Sequence, residues 1–433
     1  MEEALNQAVL GLLKLEVNKY KVESIEEIKI DKKNVKIIKI KCISKKQRCP
    51  ICNKFTSSVH DTLKSITLKH TDVFGYQSKI LLTKRRFICH KCNKKFTEPT
   101  SLNQSRCNIS NEVKKKIRKD LLNYNLSMKY IAEINNVSDV GVRNELKLMM
   151  KDYSEFPNSL PRVISFDEFK ADTSYGKYAF IMNDPIHKKT LDVLPSRKKE
   201  YLMNYFTKIN NRQSVEYVIS DMYEPYLIVT NVMFPKAKYV VDRFHYIRYI
   251  MDALDNIRIR LQEEFGISSK EYKLLKNRKN VSLLRIYFND VDNWYTYTKR
   301  YKNGHMVDIL KIDILDQMLD LDDELKRGYH LKELFLDIVN HATYETAKSE
   351  IESFIDLCKE SKIDEFIEAS KTIENWLPYI VNSFIDKRFS NGYTEGLNNK
   401  IKVIKRVGFG YKNFYFFRLR LLYILNGKII GKK

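Results

Sequence analysis

Two cysteine pairs constrain what this chain can fold into more than any other feature. Cys49-Pro50-Ile51-Cys52 and Cys89-His90-Lys91-Cys92 are CxxC knuckles with 36 residues between them. Two thiolates three positions apart on a tight turn clamp one side of a tetrahedral metal, and a second knuckle closes it. The separation exceeds the usual zinc-finger spacing. However, it contains alternating runs such as Lys79-Ile80-Leu81-Leu82-Thr83, suited to a hairpin that brings the pairs together. With their basic flanks, the pairs predict one structural Zn2+ on Cys49, Cys52, Cys89 and Cys92; chance reduced cysteines and a redox pair are the alternatives. Cys42, Cys107 and Cys358 have no partner at useful spacing and read as structural. His60, His70 and His90 are the possible substitute ligands.

The charge balance points to the partner. Seventy-seven Lys and Arg against 54 Asp and Glu leave a formal +23 and a pI near 9.4. Such a surplus favours a polyanion, because neutralising phosphates releases counterions whatever the base sequence. Codon bias toward Lys, Asn, Ile and Tyr accounts for many lysines but not for the excess of base over acid. Met1 is followed by Glu2 and Glu3, and Ala8–Leu13 is a short apolar stretch with no cleavage pattern. No run approaches the ~20 apolar residues that span a bilayer. The expectation is a cytoplasmic protein without a membrane role, its cysteines reduced.

The chain reads as a multidomain α/β protein. Residues 1–105 mix lysines with β-like runs such as Val35–Ile40, which makes them a zinc-ribbon DNA-binding domain. Within 106–152, apolar residues recur at helical spacing. There Ser127 caps Met128–Ile134, Asn135 and Asn136 suit a tight left-handed turn, and Ser138 caps a second helix. Val137 would pack the corner, with Val142 and Leu146 inward. Arg143, Asn144 and Lys147 then point outward, as a helix-turn-helix recognition helix requires; an ordinary helical hairpin is the plainer reading. Phe156–Pro161 is a linker by its prolines and turn formers. Strand-like runs over 162–245 predict an α/β core that opens with hairpins, and 246–385 reads as an all-helical insertion. The segment 386–433 is helical, aromatic and basic.

Three aspartates each close an apolar run: Val163-Ile164-Ser165-Phe166-Asp167, Val218-Ile219-Ser220-Asp221 and Val240-Val241-Asp242. Strand ends of an α/β sheet are where ligand groups gather, although aspartates also end strands at ordinary turns. Two carboxylates from neighbouring strands and a third from a helix can hold two divalent ions, which activate a water or 3′-hydroxyl and stabilise the departing oxygen. The C-terminal stretch Ser390-Asn391-Gly392-Tyr393-Thr394-Glu395-Gly396-Leu397-Asn398-Asn399-Lys400-Ile401-Lys402 supplies the helix. Leu397, Ile401 and Ile404 form its buried stripe, while Glu395, Asn398, Asn399, Lys402 and Arg406 share the other face. An acid followed by amides and cations suits a metal site beside a phosphate track. A glutamate in a first helical turn also has a plain electrostatic reason.

This last stretch resembles the signature of ISL3-family insertion-sequence transposases, in which an SNG…EG.N…IK..KR block carries the catalytic glutamate. The ISFDEF and ISDMYEPY stretches resemble that family's two aspartate motifs. Asp242-Arg243-Phe244-His245 is similar to a D/C-x-x-H element found in transposases with a helical insertion. Knuckles and helix-turn-helix match the family's N-terminal half, so the resemblance spans nearly the whole chain. It implies a DDE enzyme whose ribonuclease-H-like α/β core is interrupted by the insertion and completed by 386–433. Asp167, Asp221 and Glu395 would form the Mg2+ or Mn2+ triad, Asp167 being chosen over its neighbour Glu168, with Asp242 in a supporting shell. It further implies that His245, Asn398, Lys402 and Arg406 meet DNA, namely terminal inverted repeats and target. Bacterial, nucleoid-associated location and at least a homodimer follow by analogy.

Overall fold

The computed structural model describes residues 2–427 apart from 14, 31–32, 74, 105–106, 152–156, 158, 291–293, 296, 303–304, 409–410 and 412; within helices and strands it leaves out the side chains of 2, 5, 33, 298–302, 305–307 and 395. Phe156 and Asn158 of the expected linker, and the Glu395 side chain, therefore lie outside the described set. The chain divides into two compact units, Met1–Tyr153 with Lys400–Lys433, and Ser154–Asn399.

The first unit opens with helix α1 (Glu2–Leu12). Strands β1 (Tyr20–Ile30), β2 (Lys33–Cys42), β3 (Gln47–Arg48), β4 (Phe55–Thr56), β5 (Val59–Thr62), β6 (Ile66–Val73), β7 (Tyr76–Thr83), β8 (Arg85–Ile88) and β9 (Lys95–Thr97) follow. The main sheet runs β1-β2-β7-β6, with β3-β4 and β5-β8-β9 as small separate sheets. Alternation explains it: Ile38, Ile40, Ile80, Leu82 and Leu68 bury one face against Leu10 and Leu13 of α1 and its end. The interleaved Lys39 and Lys41 on the other face pair with Glu26 and Glu23 of β1, and Lys36, towards the start of β2, pairs with Glu27.

Three helices come next: α2 (Asn111–Leu122), α3 (Met128–Ile134) and α4 (Asp139–Met149). Each begins at a serine, Ser110, Ser127 and Ser138, whose hydroxyl accepts from a backbone N–H of the first turn. Asn136 takes φ 51° in the turn between α3 and α4, a conformation asparagine tolerates better than most side chains. Val113, Ile117, Leu121, Ile131, Val142 and Leu146 are buried between the helices.

The second unit holds a five-stranded sheet of β10 (Val163–Thr173), β11 (Gly176–Asp184), β12 (Lys189–Leu194), β13 (Tyr217–Ser220) and β14 (Lys238–Val241). Its order is β12-β11-β10-β13-β14. The first three strands are antiparallel, and β13 and β14 run parallel to β10. Helices α5 (Lys199–Thr207) and α6 (Glu224–Met233) make the crossovers. One sheet face, with Ile164, Phe166, Val218 and Val241, joins a large core of helical residues. The other, with Val163, Ile219 and Val240, is covered by Phe389 and Ile385.

After β14 come α7 (Arg243–Phe265), α8 (Lys270–Lys276), α9 (Arg278–Arg285), a hairpin of β15 (Tyr297–Lys302) and β16 (His305–Leu310), then α10 (Lys311–Leu319), α11 (Asp323–His341), α12 (Ala347–Glu360) and α13 (Asp364–Val381). The expected all-helical insertion is thus corrected: it contains one antiparallel hairpin. The missed signal is Asn303-Gly304 between runs rich in Tyr, Thr and Val, since Asn-Gly suits the tight turns that match strand twist. Gly328 marks a close helix crossing, where a Cβ would stand 2.8 Å from Ile257 and 3.1 Å from Phe366.

The last elements are α14 (Gly392–Val407) and α15 (Phe414–Leu425). The segment 386–433, expected to act as one part of the core, divides at 399/400, and Lys400–Lys433 belong with the first unit. There α15 packs on α2 and α4. Arg420, 1% exposed, donates to the carbonyls of Asn123 and Leu126 in the loop after α2, and the Tyr423 hydroxyl donates to Arg118 O. The Phe, Leu and Tyr residues of α15 buried there outweigh the sequence neighbourhood of α14.

Candidate active site and metal centre

The two knuckles are built alike. Each follows a short strand, β3 or β8, and each turns back into the next strand at a left-handed asparagine, Asn53 at φ 57° and Asn93 at φ 52°. The amides of Cys49 and Cys89 donate to the carbonyls of Lys54 and Lys94. The two turns bring four sulfurs together. Cys49 and Cys92 Sγ are 3.5 Å apart, Cys52 and Cys89 Sγ 3.5 Å, Cys52 and Cys92 Sγ 3.8 Å, and all four lie within 4.8 Å of one another. A tetrahedron with zinc–sulfur bonds of about 2.3 Å has edges of about 3.8 Å, so the set fits zinc. Backbone N–H groups of Cys52 and Ile51 pull the Cys49 thiol down to about 6, and those of Cys92 and Lys91 lower Cys89. At Cys49 and Cys89 the thiolate, the ligand form, is therefore favoured, while the Lys94 N–H is outweighed at Cys92 by burial and the neighbouring sulfurs, which push that thiol up to about 12. The candidate substitute ligands lie elsewhere: His70 Nδ1 is hydrogen-bonded to Ser110 and His90 Nε2 to Ser58. Burial raises Cys42 and Cys358 to about 12, as befits unreactive core thiols. Protein purified under reducing conditions should carry about one zinc per chain, and Cys89→Ser with Cys92→Ser should remove it. Full-length metal-free protein with intact thiols would refute the zinc site.

The acids gather on the second unit's sheet by strand parity. Val163, Ile219 and Val240 face the Phe389 side, and Asp167, Asp221 and Asp242 follow them by even numbers of residues. Side chains alternate along a strand, so all three aspartates belong to that side: Asp221 and Asp242 just beyond β13 and β14, and Asp167 inside β10, which runs on to Thr173 rather than ending at the aspartate as its apolar run suggested. Glu168 belongs to the opposite side, where it accepts from the Tyr226 hydroxyl at 3.0 Å and from Arg197.

Asn391 ties the strand ends to the start of α14. Its backbone N–H donates to Asp242 Oδ1 at 3.1 Å, its side-chain Nδ2 donates to Phe166 O at 3.1 Å, and its side-chain Oδ1 accepts from the Thr394 hydroxyl. Thr394 in turn accepts from Asn183 of β11 at 3.0 Å. Asn398, grouped in the sequence with the DNA-facing cations, donates to Asp167 Oδ2 at 3.0 Å. Among residues singled out for DNA contact, Asn144, Lys147, Lys402 and Arg406 are exposed and Arg143 is half-buried. Arg143 and Lys147 lie over the Phe416 ring at 5.2 and 5.3 Å. His245 Nε2 is 3.9 Å from Asp242 Oδ2. Sequence reasoning missed the linking roles of Asn391 and Thr394, although both stand inside the quoted C-terminal block.

Burial sets the electrostatics. Desolvation pushes the Asp167 carboxyl up to about 7, helped by Glu168 and Asp221. It also raises Glu168, Asp221 and Asp242, with His245 opposing the rise at both aspartates. Crowded carboxylates deprived of water favour a proton or a cation among them. Among the described residues, however, the four cysteines are the one group of three or more possible ligands within 4.8 Å.

A four-cysteine ribbon in one unit and, in the other, buried and half-buried acids within β10 and just beyond β13 and β14 of a mixed sheet define a zinc-ribbon α/β protein. The family model of ISL3-type DDE transposases, described as "Transposase", matches residues 164–421, and a "zinc-finger of transposase IS204/IS1001/IS1096/IS1165" matches 45–92. The chain belongs to the ISL3 family of insertion-sequence transposases. It is 21% identical over 388 residues to the "Transposase for insertion sequence element IS1001" of Bordetella parapertussis, covering 89% of this chain and 90% of that one. It is also 31% identical over 124 residues to an "ATP-dependent protease" of Lactococcus lactis subsp. lactis. That second match spans only 29% of this chain and 38% of the relative's length, so it carries no argument about activity. No helix among the described residues is long and apolar enough to cross a membrane.

Proposed function

We propose that the protein binds the inverted terminal repeats of its element, hydrolyses phosphodiesters there and joins the 3′-hydroxyls to target DNA. The observation that carries this reading is the clustering of Asp167 and Asp221 on one face of neighbouring strands, beside the start of α14. The strand order, three antiparallel then two parallel, supports reading this sheet as a ribonuclease-H-like core with the α7–α13 stretch as its insertion. Glu395, in the first turn of α14, is the third acid. Asp242 shares the aspartates' face, and its Oδ1 accepts from the Asn391 N–H; its role in this reading is to orient the site from a supporting shell.

Hard carboxylate oxygens suit Mg2+ or Mn2+, and burial without water gives these acids reason to take up cations. Bound there, the ions would supply Lewis-acid stabilisation of the phosphodiester oxygens. The chain's own work is positioning: Asn398 holds Asp167, and Asn391 fixes the sheet–helix geometry. In the first unit, the ribbon and the α2–α4 helices, read as a helix-turn-helix, would recognise DNA. Asn144 would read base edges and Lys147 phosphates. Two ends must be brought together, so a homodimer or higher assembly on DNA in a bacterial nucleoid is part of the proposal.

Incubation of the purified protein with labelled element ends, an unlabelled target and Mg2+ tests this. The expected product is labelled strand covalently joined to target. Cleavage without joining would favour a ribonuclease-H-like nuclease, and binding without cleavage a transposase-derived regulator.

A further inference from the structure

Arg197, just after β12, is held in a frame that the reading above does not use. Its guanidinium lies over the Tyr178 ring at 4.4 Å and over the Tyr223 ring at 4.6 Å. One terminal nitrogen donates to Glu168 Oε1, and Tyr226 occupies the other oxygen of that carboxylate. Two rings fix the plane of the guanidinium, and Glu168 fixes its rotation within that plane. Glu168 is itself mostly buried and adjoins Asp167 in the chain, so the frame is anchored to the strand that carries the first acid. The Arg197 side chain remains 27% exposed. Among the described residues it makes no hydrogen bond beyond the one to Glu168. A guanidinium has five N–H donors, so most of its donor capacity is left over. Tyr223, whose ring it covers, follows Asp221 by two residues, so the frame adjoins the second acid in the chain as well.

An acid cluster must accept a polyanionic substrate, and carboxylates alone repel it. A planar, oriented guanidinium with unused N–H groups is the side chain that pairs two-pronged with a phosphate. We propose that Arg197 is the phosphate-binding cation of this site, its unused N–H edge donating to a non-bridging oxygen of the phosphodiester at or beside the scissile bond. This rests on the phosphoryl-transfer reading above. Glu168 is then a positioning residue, which explains why a second acid follows Asp167 on the opposite face of the strand. Tyr178 and Tyr223 hold the plane. Lysine would supply the charge but neither the plane nor the paired donors.

The test is single-turnover cleavage of labelled ends in Mg2+, with one phosphate at a time replaced by a neutral methylphosphonate. At the phosphate that Arg197 meets, the wild-type protein should slow by roughly 10- to 100-fold, the scale of losing one hydrogen bond to a charged group. Arg197→Ala should lose about as much on unmodified DNA and nothing further at that one phosphate. Elsewhere, both proteins should respond alike. Arg197→Lys should recover only part of the rate. If every methylphosphonate slows wild type and Arg197→Ala by equal factors, or if Arg197→Ala cleaves at the wild-type rate, the role is refuted. Should Arg197→Ala melt below the wild type, Arg197→Gln, which keeps a donor for Glu168 without the charge, goes through the same cycle with the same criterion. A wild-type protein that cleaves no end at all overturns the phosphoryl-transfer reading, whereas cleavage without coupling overturns Arg197 alone.

Discussion

Asp167→Asn and Asp221→Asn should each reduce end cleavage by on the order of 10^3-fold or more, because each removes a negative ligand worth several kcal/mol to metal and transition state. The shape of the side chain is nearly unchanged, and the Asn398 amide can still donate to the amide oxygen at position 167. Binding of the DNA ends should therefore stay near the wild-type level in a gel-shift measurement. A second readout separates metal binding from fold. Burial pushes the Asp167 carboxyl from its ordinary 3.8 up to about 7, so between those values the folded state holds a proton there that the unfolded chain has released. Its contribution to stability is full below the unfolded value and is lost as pH rises through the folded one. A divalent cation competes for the same oxygens, so its stabilising effect should grow over that rise. The increase in thermal midpoint on adding Mg2+ should be larger at pH 8 than at pH 5.5, and Asp167→Asn should flatten the difference. An Mg2+ effect that is independent of pH and unchanged in Asp167→Asn would contradict this assignment.

Phe166→Ala should be the most damaging apolar substitution at the site. Phe166 is fully buried, with ring centroids of Phe180, Phe206, Tyr226 and Phe234 between 5.0 and 6.1 Å away. Truncating such a residue costs about 3–5 kcal/mol when its neighbours cannot collapse into the space, and a ring of rings on a β-sheet collapses poorly. Its carbonyl also accepts from Ser220 and Asn391, so the cavity lies directly under the hydrogen bonds that align the acids. Chemical denaturation should show the loss as a lower midpoint. Phe166→Leu, which fills much of the space, should lose less stability and keep Mg2+-dependent cleavage. Equal losses for Ala and Leu would argue that the aromatic contacts, not the volume, hold this layer.

What the sequence made legible was whatever depends on local chemistry. The CxxC knuckles needed only their spacing, and the serine caps of α3 and α4 followed from a hydroxyl before an apolar helical run. The parity of Asp167, Asp221 and Asp242 was implicit in the alternation of their strands. What stayed hidden depends on long-range placement. Asn391 reads locally as half of an Asn-Gly turn, yet its amide reaches Phe166 and its N–H reaches Asp242, partners more than a hundred residues away. Arg197 looks like the start of an exposed Arg-Lys-Lys run until Tyr178, Tyr223 and Glu168 close round it. The division of 386–433 was equally invisible, since no feature of α14 announces that α15 will bury its apolar side chains against α2 and α4. The β15–β16 hairpin is a different case: Asn303-Gly304 carried the signal, and the charged surroundings masked it.

The assignment of the third acid is tested most directly by comparing Glu395→Gln with Asp242→Asn in one Mg2+-dependent cleavage assay, alongside Asp167→Asn and Asp221→Asn. The account predicts that Glu395→Gln is as inactive as the two aspartate variants while all of them still bind the ends. Asp242→Asn should retain measurable cleavage, because its amide oxygen can still accept from the Asn391 N–H. An active Glu395→Gln beside an inactive Asp242→Asn would contradict the triad at its third member, and four active variants would contradict metal-dependent catalysis by these acids altogether.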